Sequence, residues 1–234
     1  MARWRPPKRR LGRFLGANAI ETVLDVGANR GQFGSELRSA GFRGRIISFE
    51  PLGRPFALLA EAAAVDPLWE AHQLALGGAR EQRSMNVAAN SASSSFLDIA
   101  GTHLTAAPEA RTVSAEQVTT VRLDDLAAEL AFDPGSTLLK LDVQGFHLAV
   151  LEGATAILND LAAVQCEISV VPLYLGEPQL IDVLCDLRGR GFELVELEPG
   201  FYDPAEGRIL QFDGRFVRAV SNGASTASAK RSES

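Results

Sequence analysis

Cysteine is scarce in this chain of 234 residues, and long hydrophobic runs are missing. The two cysteines, Cys166 and Cys185, form no Cys-x-x-Cys motif, which argues against a disulfide framework or a cysteine-rich metal site. We expect both to be reduced core residues, Cys166 in a strand and Cys185 on the apolar side of a helix. No run reaches the roughly 18 apolar residues of a membrane span, and no apolar signal segment is recognisable. A cytoplasmic location without integral membrane segments is predicted.

Positive charge is also in short supply, since 23 Lys and Arg stand against 29 Asp and Glu, for a net charge of -6. Nothing in this balance indicates a nucleic-acid partner or an anionic membrane. Basic residues crowd only the start of the chain, and we interpret residues 1–16 as a basic, solvated and partly disordered arm. The Ser- and Ala-rich residues 219–234 predict a disordered tail. Residues 17–218 are expected to form a single domain.

The most informative stretch begins with the apolar, β-branched run Thr22–Val26, which predicts a buried strand. A loop containing Gly27 and Gly31 follows, and residues 32–40 can then form a helix. Glycines at a strand-to-helix turn allow the backbone to approach a ligand, because a Cβ atom there would collide with it. The stretch therefore predicts a ligand-binding turn, although such loops also occur in α/β proteins that bind nothing there.

A second predicted strand, residues 45–49, ends at Glu50, which lies 25 residues beyond Asp25. In a β-α-β unit this carboxylate lies beside the glycine loop and can accept hydrogen bonds from both hydroxyls of a ribose. The spacing Asp25-x-Gly27-x-x-x-Gly31 differs from the Gly-x-Gly-x-x-Gly of dinucleotide sites. An acid ahead of the loop suits a cationic ammonium. S-adenosylmethionine (SAM) carries an ammonium and no phosphate, so the residues favour SAM over NAD.

The rest of the chain alternates between strand and helix patterns, which predicts an α/β fold with a doubly wound, mostly parallel sheet. Consecutive strands without a helix between them predict a hairpin-like end. Strands are predicted over residues 69–75, 81–89, 117–123, 136–142, 161–170, 192–197 and 208–217, and helices over residues 53–64, 146–158 and 178–190, with a further helix capped by Asp124 and Asp125.

A second group of polar residues follows the predicted strand 136–142. Doubly wound sheets bind ligands outside the carboxyl ends of their strands, so Asp142 lies where the reacting end of the cofactor is expected. Glu167, on a later strand, could face the same cleft, and the two carboxylates together suit Mg²⁺. His147 could serve as a general base or bind a sugar substrate. Asp142, His147 and Glu167 are the catalytic candidates; helix capping by Asp142 and pairing of Glu167 with a buried arginine are the alternatives.

Four segments resemble the FkbM family of SAM-dependent methyltransferases: TVLDVGANRGQF at residues 22–33, SFEP at 48–51, LLKLDVQGF at 138–146 and QFDGRFV at 211–217. The resemblance covers residues 22–218. It implies a Rossmann-like class I methyltransferase fold, with a seven-stranded sheet whose last strand is antiparallel, and O-methylation of hydroxyls on sugars or on sugar-bearing and polyketide natural products.

The resemblance also implies a set of site residues. Methyl transfer would take place at Asp142. The serine run at residues 90–95 has two interpretations, a polar linker or a hydroxyl-rich loop over the cofactor that includes Ser95. The full set of predicted SAM-binding residues is Asp25, Gly27, Ala28, Asn29, Gly31, Phe33, Glu50, Pro51, Ser95 and Asp142.

His147 departs from the family pattern, because many members have an acidic residue at this position. The change points to a different hydroxyl acceptor or to a histidine base, and it also encourages the alternative of a SAM-binding or partner-binding module without catalysis. An NAD-dependent oxidoreductase fits the β-α-β unit but not the loop spacing. The predicted function is SAM-dependent O-methylation of a small-molecule or oligosaccharide hydroxyl. The sequence leaves open whether Mg²⁺ assists the reaction and whether the protein forms a homo-oligomer.

Overall fold

The computed structural model describes residues 8–219. The α-helices of this region are α1 Lys8–Ala17, α2 Gln32–Ser39, α3 Gly53–Ala63, α4 Gly101–Ala106, α5 Leu123–Leu130, α6 His147–Gly153, α7 Thr155–Leu158 and α8 Leu180–Gly189. The strands are β1 Thr22–Val26, β2 Arg45–Phe49, β3 Trp69–His72, β4 Ala75–Leu76, β5 Glu81–Ala88, β6 Thr112–Val121, β7 Thr137–Leu141, β8 Ala163–Ser169, β9 Phe192–Pro199 and β10 Gln211–Arg218.

Seven strands form the main sheet, in the order β3-β2-β1-β7-β8-β10-β9. β1 pairs in parallel with β2 and β7, whereas β10 is antiparallel to both of its neighbours. Every residue of β1, β7 and β8 is buried, as expected for central parallel strands covered on both faces. The predicted fold class is confirmed. The strand order switches between β1 and β7, which is where doubly wound sheets bind ligands.

A small second sheet, with strand order β4-β6-β5, was not expected from the sequence. The strand predicted over residues 69–75 is divided, so that β3 joins the main sheet and β4 joins the small one. β6 begins at Thr112, well before the predicted start at residue 117. Its first four residues are exposed and carry no apolar alternation, which explains why the sequence pattern missed them.

The helix predicted over residues 146–158 is interrupted. α6 ends at Gly153, Ala154 departs from helical geometry with φ −113°, and α7 begins at Thr155. Gly153 lies against the backbone just after β4 of the small sheet, because a Cβ atom added there would be 1.9 Å from the carbonyl oxygen of Gly77. A tertiary contact of this kind leaves no signal in helical periodicity.

The N-terminal segment is packed rather than solvated where the structure describes it. Leu11, Phe14 and Leu15 of α1 are buried in a core cluster with residues of β1, β2 and β7. Their three- and four-residue spacing forms an apolar stripe that the surrounding arginines obscure in the sequence. The interpretation of a solvated arm is therefore wrong for the apolar side of α1, which is buried at these three residues. Residues 1–7 and the tail from residue 220 lie outside the described residues, and the domain bounds stay a prediction.

The two cysteines differ in exposure. Cys166 is buried on β8 as predicted, whereas Cys185 on α8 is exposed, so its assignment to the core was wrong. The buried positions of α8 are Val183 and Leu187, one helical turn apart, and Cys185 lies two residues from each, on another side of the helix. Within residues 8–219, the helices are all too short or too polar to cross a bilayer.

We predict opposite effects for alanine at two helix-terminal glycines. Gly153→Ala should lower the free energy of unfolding by about 2 kcal/mol or more, because the new Cβ atom would meet the Gly77 carbonyl oxygen 1.9 Å away. Gly189→Ala at the end of α8 has no atom within 4 Å of the new Cβ, so helix propensity should stabilise it by about 0.5–1 kcal/mol. Urea denaturation measures both, and equal effects of the two changes would contradict this packing.

Candidate functional site

A cavity of about 480 Å³ opens at the carboxyl ends of β1, β2 and β7, next to the switch in strand order. The sequence-predicted residues that line it are Gly27, Ala28, Asn29, Phe33, Glu50, Pro51, Asp142 and Glu167. Four other predicted residues, Asp25, Gly31, Ser95 and His147, do not line it.

The glycine loop is held against the end of β7. Gly27 has φ 76°, and a Cβ atom added there would be 2.0 Å from the carbonyl oxygen of Asp142. Asn29 also adopts a left-handed conformation, with φ 49°. Gly31, with φ 78°, closes the turn before α2 and packs against the ring of Trp69, so it shapes the loop without lining the cavity. Both glycines are thus required by contacts within the protein, since a Cβ atom at either would meet other residues of the chain, and the expectation that they make room for a ligand is corrected.

Glu50 is the best-defined cofactor candidate. Its side chain lies at the cavity wall in a residue only 4% exposed, and its two oxygens accept hydrogen bonds from the backbone N–H groups of Asn29 and Leu52, each at 2.9 Å. Burial raises the pKa of Glu50 to about 7, although the two N–H donors oppose the shift. Each carboxylate oxygen keeps acceptor capacity for a ribose hydroxyl. With apolar Phe49 and Leu74 also lining the cavity, these residues fit a nucleoside.

Asp25 has a different partner from the one predicted. Its side chain is fully buried, and its Oδ1 lies 2.9 Å from Nζ of Lys140 on β7. The Lys140 ammonium also lies 3.6 Å from Oδ2 of Asp142 and 3.5 Å from the carbonyl oxygen of Gly27. The cation that this acid attracts is thus the chain's own lysine. The expected direct contact of Asp25 with a cofactor ammonium is therefore corrected. Asp25 lies beneath the loop and contacts Lys140 there.

Asp142 and Glu167 come together at the cavity wall, as the sequence predicted, but an amide stands between them. Nε2 of Gln144 donates to Oδ1 of Asp142 at 2.5 Å and to Oε2 of Glu167 at 2.8 Å. The hydroxyl of Tyr174 lies 2.8 Å from Oε1 of Gln144 and 2.9 Å from the carbonyl oxygen of Ser93, and its single proton serves one of these acceptors at a time. The two carboxylates fix the orientation of the amide, because the amide oxygen in their place would be repelled. The sequence analysis gave no role to Gln144 or Tyr174. The left-handed φ of 48° at Gln144, which aims its amide back toward β7 and β8, could not be read from sequence.

The predicted Mg²⁺ site finds no support. Across residues 8–219, no group of three or more His, Cys, Asp and Glu residues is arranged to hold a metal ion. Donor groups already face the two proposed ligands, since the Gln144 amide binds both carboxylates and the Lys140 ammonium lies beside Asp142. A cation competes poorly for carboxylates that face an ammonium and an amide N–H. The residues therefore do not fit Mg²⁺.

His147 does not reach the cavity either. It is the first residue of α6 and is only 3% exposed, and neither ring nitrogen has a hydrogen-bond partner in the described part of the chain. Burial lowers the pKa of His147 to about 4, so the imidazole is neutral near pH 7. The prediction that His147 acts as a base at the site is corrected, because the helix begins with this side chain turned into the protein interior.

The serine-rich run contributes to the cavity wall, although not through the residue predicted. Ser91, Ser93 and Ser94 line the cavity. Ser95 is buried behind them; its hydroxyl donates to the carbonyl oxygen of Gln144 at 2.7 Å and accepts from the N–H of Leu97. The run is therefore part of the site rather than a linker, and Ser95 anchors it to the loop that follows β7.

A further part of the wall comes from segments for which the sequence predicted no site. His103 on α4, Glu109 just after it, and Phe201 before β10 all line the cavity. The region from residue 97 to 111 has no strong apolar periodicity. Its one usable signal was a histidine, a residue that occurs only three times in the chain.

Comparison with solved structures finds similar folds at low sequence identity. An uncharacterised protein from Listeria monocytogenes serotype 4b is 8% identical, with 96% of this chain and 72% of that chain covered and a TM-score of 0.50. An rRNA methylase from Streptococcus thermophilus is 12% identical, with 93% of this chain and 99% of that chain covered and a TM-score of 0.49. Magnesium protoporphyrin IX methyltransferase from Synechocystis PCC 6803, with bound SAM, is 9% identical. The match covers 91% of this chain and 78% of that chain, with a TM-score of 0.49. Identities this low carry no information about the substrate.

The family assignment rests on a separate match. No curated protein matches the chain. The model of the methyltransferase FkbM domain matches residues 25–194, which is more than half of the chain and includes the glycine loop, Glu50 and Asp142. The chain belongs to the FkbM family of SAM-dependent methyltransferases.

Proposed function

We propose that this chain is an O-methyltransferase that transfers the methyl group of SAM to a hydroxyl of a sugar, either free or within a glycolipid, oligosaccharide or glycosylated natural product. The observation that carries the proposal is that one cavity is lined by Glu50, by Asp142 and by a group of hydrogen-bonding side chains together with an aromatic ring. Such a mixture suits a polyol with one apolar face. This group and ring are formed by Asn90, Ser91, Ser93, Glu109, Gln165 and Phe201.

The residues present fit SAM in defined roles. Bound SAM supplies an electrophilic methyl group on a sulfonium. Glu50 would accept hydrogen bonds from the ribose hydroxyls, and the backbone of residues 27–29 would lie against the amino-acid portion. Asp142, held by Gln144 and Lys140, places negative charge at the end of β7, where the cationic portion of the cofactor is expected.

The alternative of a non-catalytic module has lost its main support. It depended on the replacement of a family acid by His147, and this side chain lies outside the cavity. Three further points remain predictions: that the protein has no nucleic-acid partner, that it can form a homo-oligomer, and that it is cytoplasmic.

A transfer assay tests the proposed function directly. Purified protein would be incubated with methyl-labelled SAM and a panel of mono- and oligosaccharides, RNA and a protein mixture as competing acceptors. Label should move to a saccharide and should be lost with Glu50→Ala. Label moving to RNA or protein would contradict the sugar assignment. Calorimetric binding of SAM without any transfer would favour the binding module.

We predict that Glu50→Gln weakens SAM binding by roughly 10- to 100-fold, because a neutral amide replaces the acceptor of charge-assisted hydrogen bonds from the ribose. Isothermal titration calorimetry measures the effect. Glu61→Gln, on the exposed side of α3, is the matched control and should leave the dissociation constant unchanged. Equal affinities of the Glu50 variant and the original protein would remove Glu50 from the ribose site.

SAM affinity should also depend on pH near neutrality. The pKa of Glu50 is raised to about 7. The ionised form, which accepts hydrogen bonds from both ribose hydroxyls, therefore becomes populated only as the pH rises through that value. Affinity is therefore expected to rise between pH 6 and pH 8 and then level off. The Glu50→Gln variant, which has no proton to lose there, should lack this step. A flat profile in the original protein would contradict the assignment.

His147→Leu should retain turnover and stabilise the protein by about 1 kcal/mol. The imidazole is buried, neutral near pH 7 and without a hydrogen-bond partner in the described residues, so an apolar side chain of similar size removes a desolvation cost and orphans no partner. Thermal unfolding and the transfer assay measure the two effects. His147→Asn, which keeps polarity but loses volume, is the control and should destabilise. A large loss of turnover in His147→Leu would contradict this prediction and would indicate that His147 takes part in catalysis.

A further inference from the structure

One face of the neighbouring strands β7, β8 and β10 carries a polar patch in the middle of the main sheet. Six residues of this polar patch line the cavity: Lys140 and Asp142 at the end of β7, Gln165 and Glu167 of β8, and Asp213 and Arg215 of β10. Lys140, Gln165 and Arg215 are register partners, and Glu167 is opposite Asp213. Residues two apart on a strand share a face. Central strands usually bear apolar side chains on both faces, so these polar rows indicate a ligand surface.

The polar patch adjoins the proposed transfer site and continues away from the cofactor. Glu167 shares the Gln144 amide with Asp142, and Gln165 precedes Glu167 by two residues on the same face of β8. Neighbouring strands are about 4.8 Å apart, and β8 and β10 lie one and two strands beyond β7, on the side away from Glu50. The residues proposed to bind SAM lie at β2, β1 and β7. The β8 and β10 part of the patch is therefore left for the acceptor.

Gln165 presents hydrogen-bond donors to the cavity. The residue is only 6% exposed, and its Oε1 accepts a hydrogen bond from Nε of Arg215 at 3.0 Å. Arginine can only donate, so the amide oxygen faces Arg215 and the amide nitrogen faces elsewhere. Among the described residues that nitrogen has no hydrogen-bond partner, and it is not sealed in the interior but reaches the cavity. Two N–H donors placed in this way call for a ligand oxygen as acceptor.

The charges at the cavity wall favour an uncharged acceptor. Six of the described residues that line the cavity are acids: Glu36, Glu50, Glu109, Asp142, Glu167 and Asp213. The lysine and the arginine at the wall already face carboxylates. Nζ of Lys140 lies 2.9 Å from Oδ1 of Asp25. The Arg215 guanidinium forms ion pairs with Glu196 and with Glu198, whose Oε2 is 3.3 Å away. A carboxylate or phosphate on the acceptor would therefore meet like charge.

We propose that the polar patch is the acceptor subsite, that it takes an uncharged sugar, and that Gln165 determines specificity by donating its amide N–H to an oxygen of that sugar. The inference rests on the proposed O-methyl transfer and concerns the binding and orientation of the acceptor. Asp213, on the next strand, is the acceptor for a second sugar hydroxyl. A donor and an acceptor on adjacent strands select for the arrangement of two hydroxyl groups.

Gln165→Glu tests the donor with little change of shape. Glutamate keeps an oxygen for Arg215 but has an acceptor where the N–H donors were. For the sugar that is methylated, KM should rise roughly 10-fold or more, while the dissociation constant of SAM from calorimetry changes less than about twofold. Gln117→Glu, at an exposed position of β6 outside the cavity, is the matched control and should leave both unchanged. An unchanged KM in Gln165→Glu would overturn the role of Gln165.

The charge argument is tested with matched pairs of acceptors. The methyl glycosides of glucose, mannose and galactose are compared with those of the corresponding uronic acids, and kcat/KM should favour the uncharged member by roughly 10-fold or more. Asp213→Asn removes one negative charge and should narrow this ratio, whereas a purely structural role would lower both rates alike. Asp125→Asn, exposed on α5, is the control and should keep the ratio. A preference for the uronates would overturn the subsite.

A further readout does not depend on turnover. The side-chain amide resonance of Gln165 in a ¹H–¹⁵N spectrum is assigned by its loss in Gln165→Glu. With S-adenosylhomocysteine bound, at least one of the three uncharged methyl glycosides should move this resonance while that of the Gln117 side chain stays in place. No movement with any of them would overturn the subsite.

The two proposals fail in distinguishable ways. If label reaches a sugar and neither the KM of Gln165→Glu nor the acceptor ratio of Asp213→Asn changes, the subsite is wrong and the proposed function stands. If SAM binds and label reaches only RNA or protein, or no acceptor at all, the proposed function is wrong and the subsite is overturned with it.

Discussion

The ion pair between Lys140 and Asp25 is the interaction on which the rest of the site depends. The two residues are register partners on the neighbouring parallel strands β7 and β1, and both are almost fully buried. Breaking a buried pair by removing one partner typically costs about 3–5 kcal/mol, because the remaining charge is left without compensation. The same ammonium reaches toward Asp142 and the Gly27 carbonyl. One buried cation thus contacts the glycine loop, the strand β1 beside the switch in strand order, and the carboxyl end of β7.

The carboxyl groups of Asp142 and Glu167, which we propose lie at the transfer site, are joined by a neutral amide. Gln144 holds Asp142 and Glu167 through one nitrogen, and its oxygen lies beside the hydroxyl of Tyr174. Both carboxyl groups share the one amide nitrogen as hydrogen-bond donor. The amide therefore holds the two groups together at the cavity wall.

Much of the fold could be predicted because its determinants are local. The apolar runs of β1, β2 and β7 indicated buried parallel strands, and the distance from Asp25 to Glu50 placed a carboxylate beside the glycine loop. Two errors at the site come from packing between segments that are distant in sequence. Asp25 meets a lysine more than 100 residues away, and His147 turns inward because of how α6 packs. The small sheet and the His103 segment were missed because exposed strands and a short helix leave little periodicity.

The packed helix α1 has a consequence for how this architecture diversifies. The region that defines the family ends at residue 194 and starts at residue 25, yet Leu11 of α1 and three residues of β10, Gln211, Asp213 and Arg215, form part of the cavity wall. The residues proposed to bind the nucleoside lie inside the matched region, and β10 carries one of the segments that resemble the family, whereas Leu11 of α1 closes the cavity from outside both. A change in how α1 packs on the sheet can therefore reshape the cavity without altering those residues.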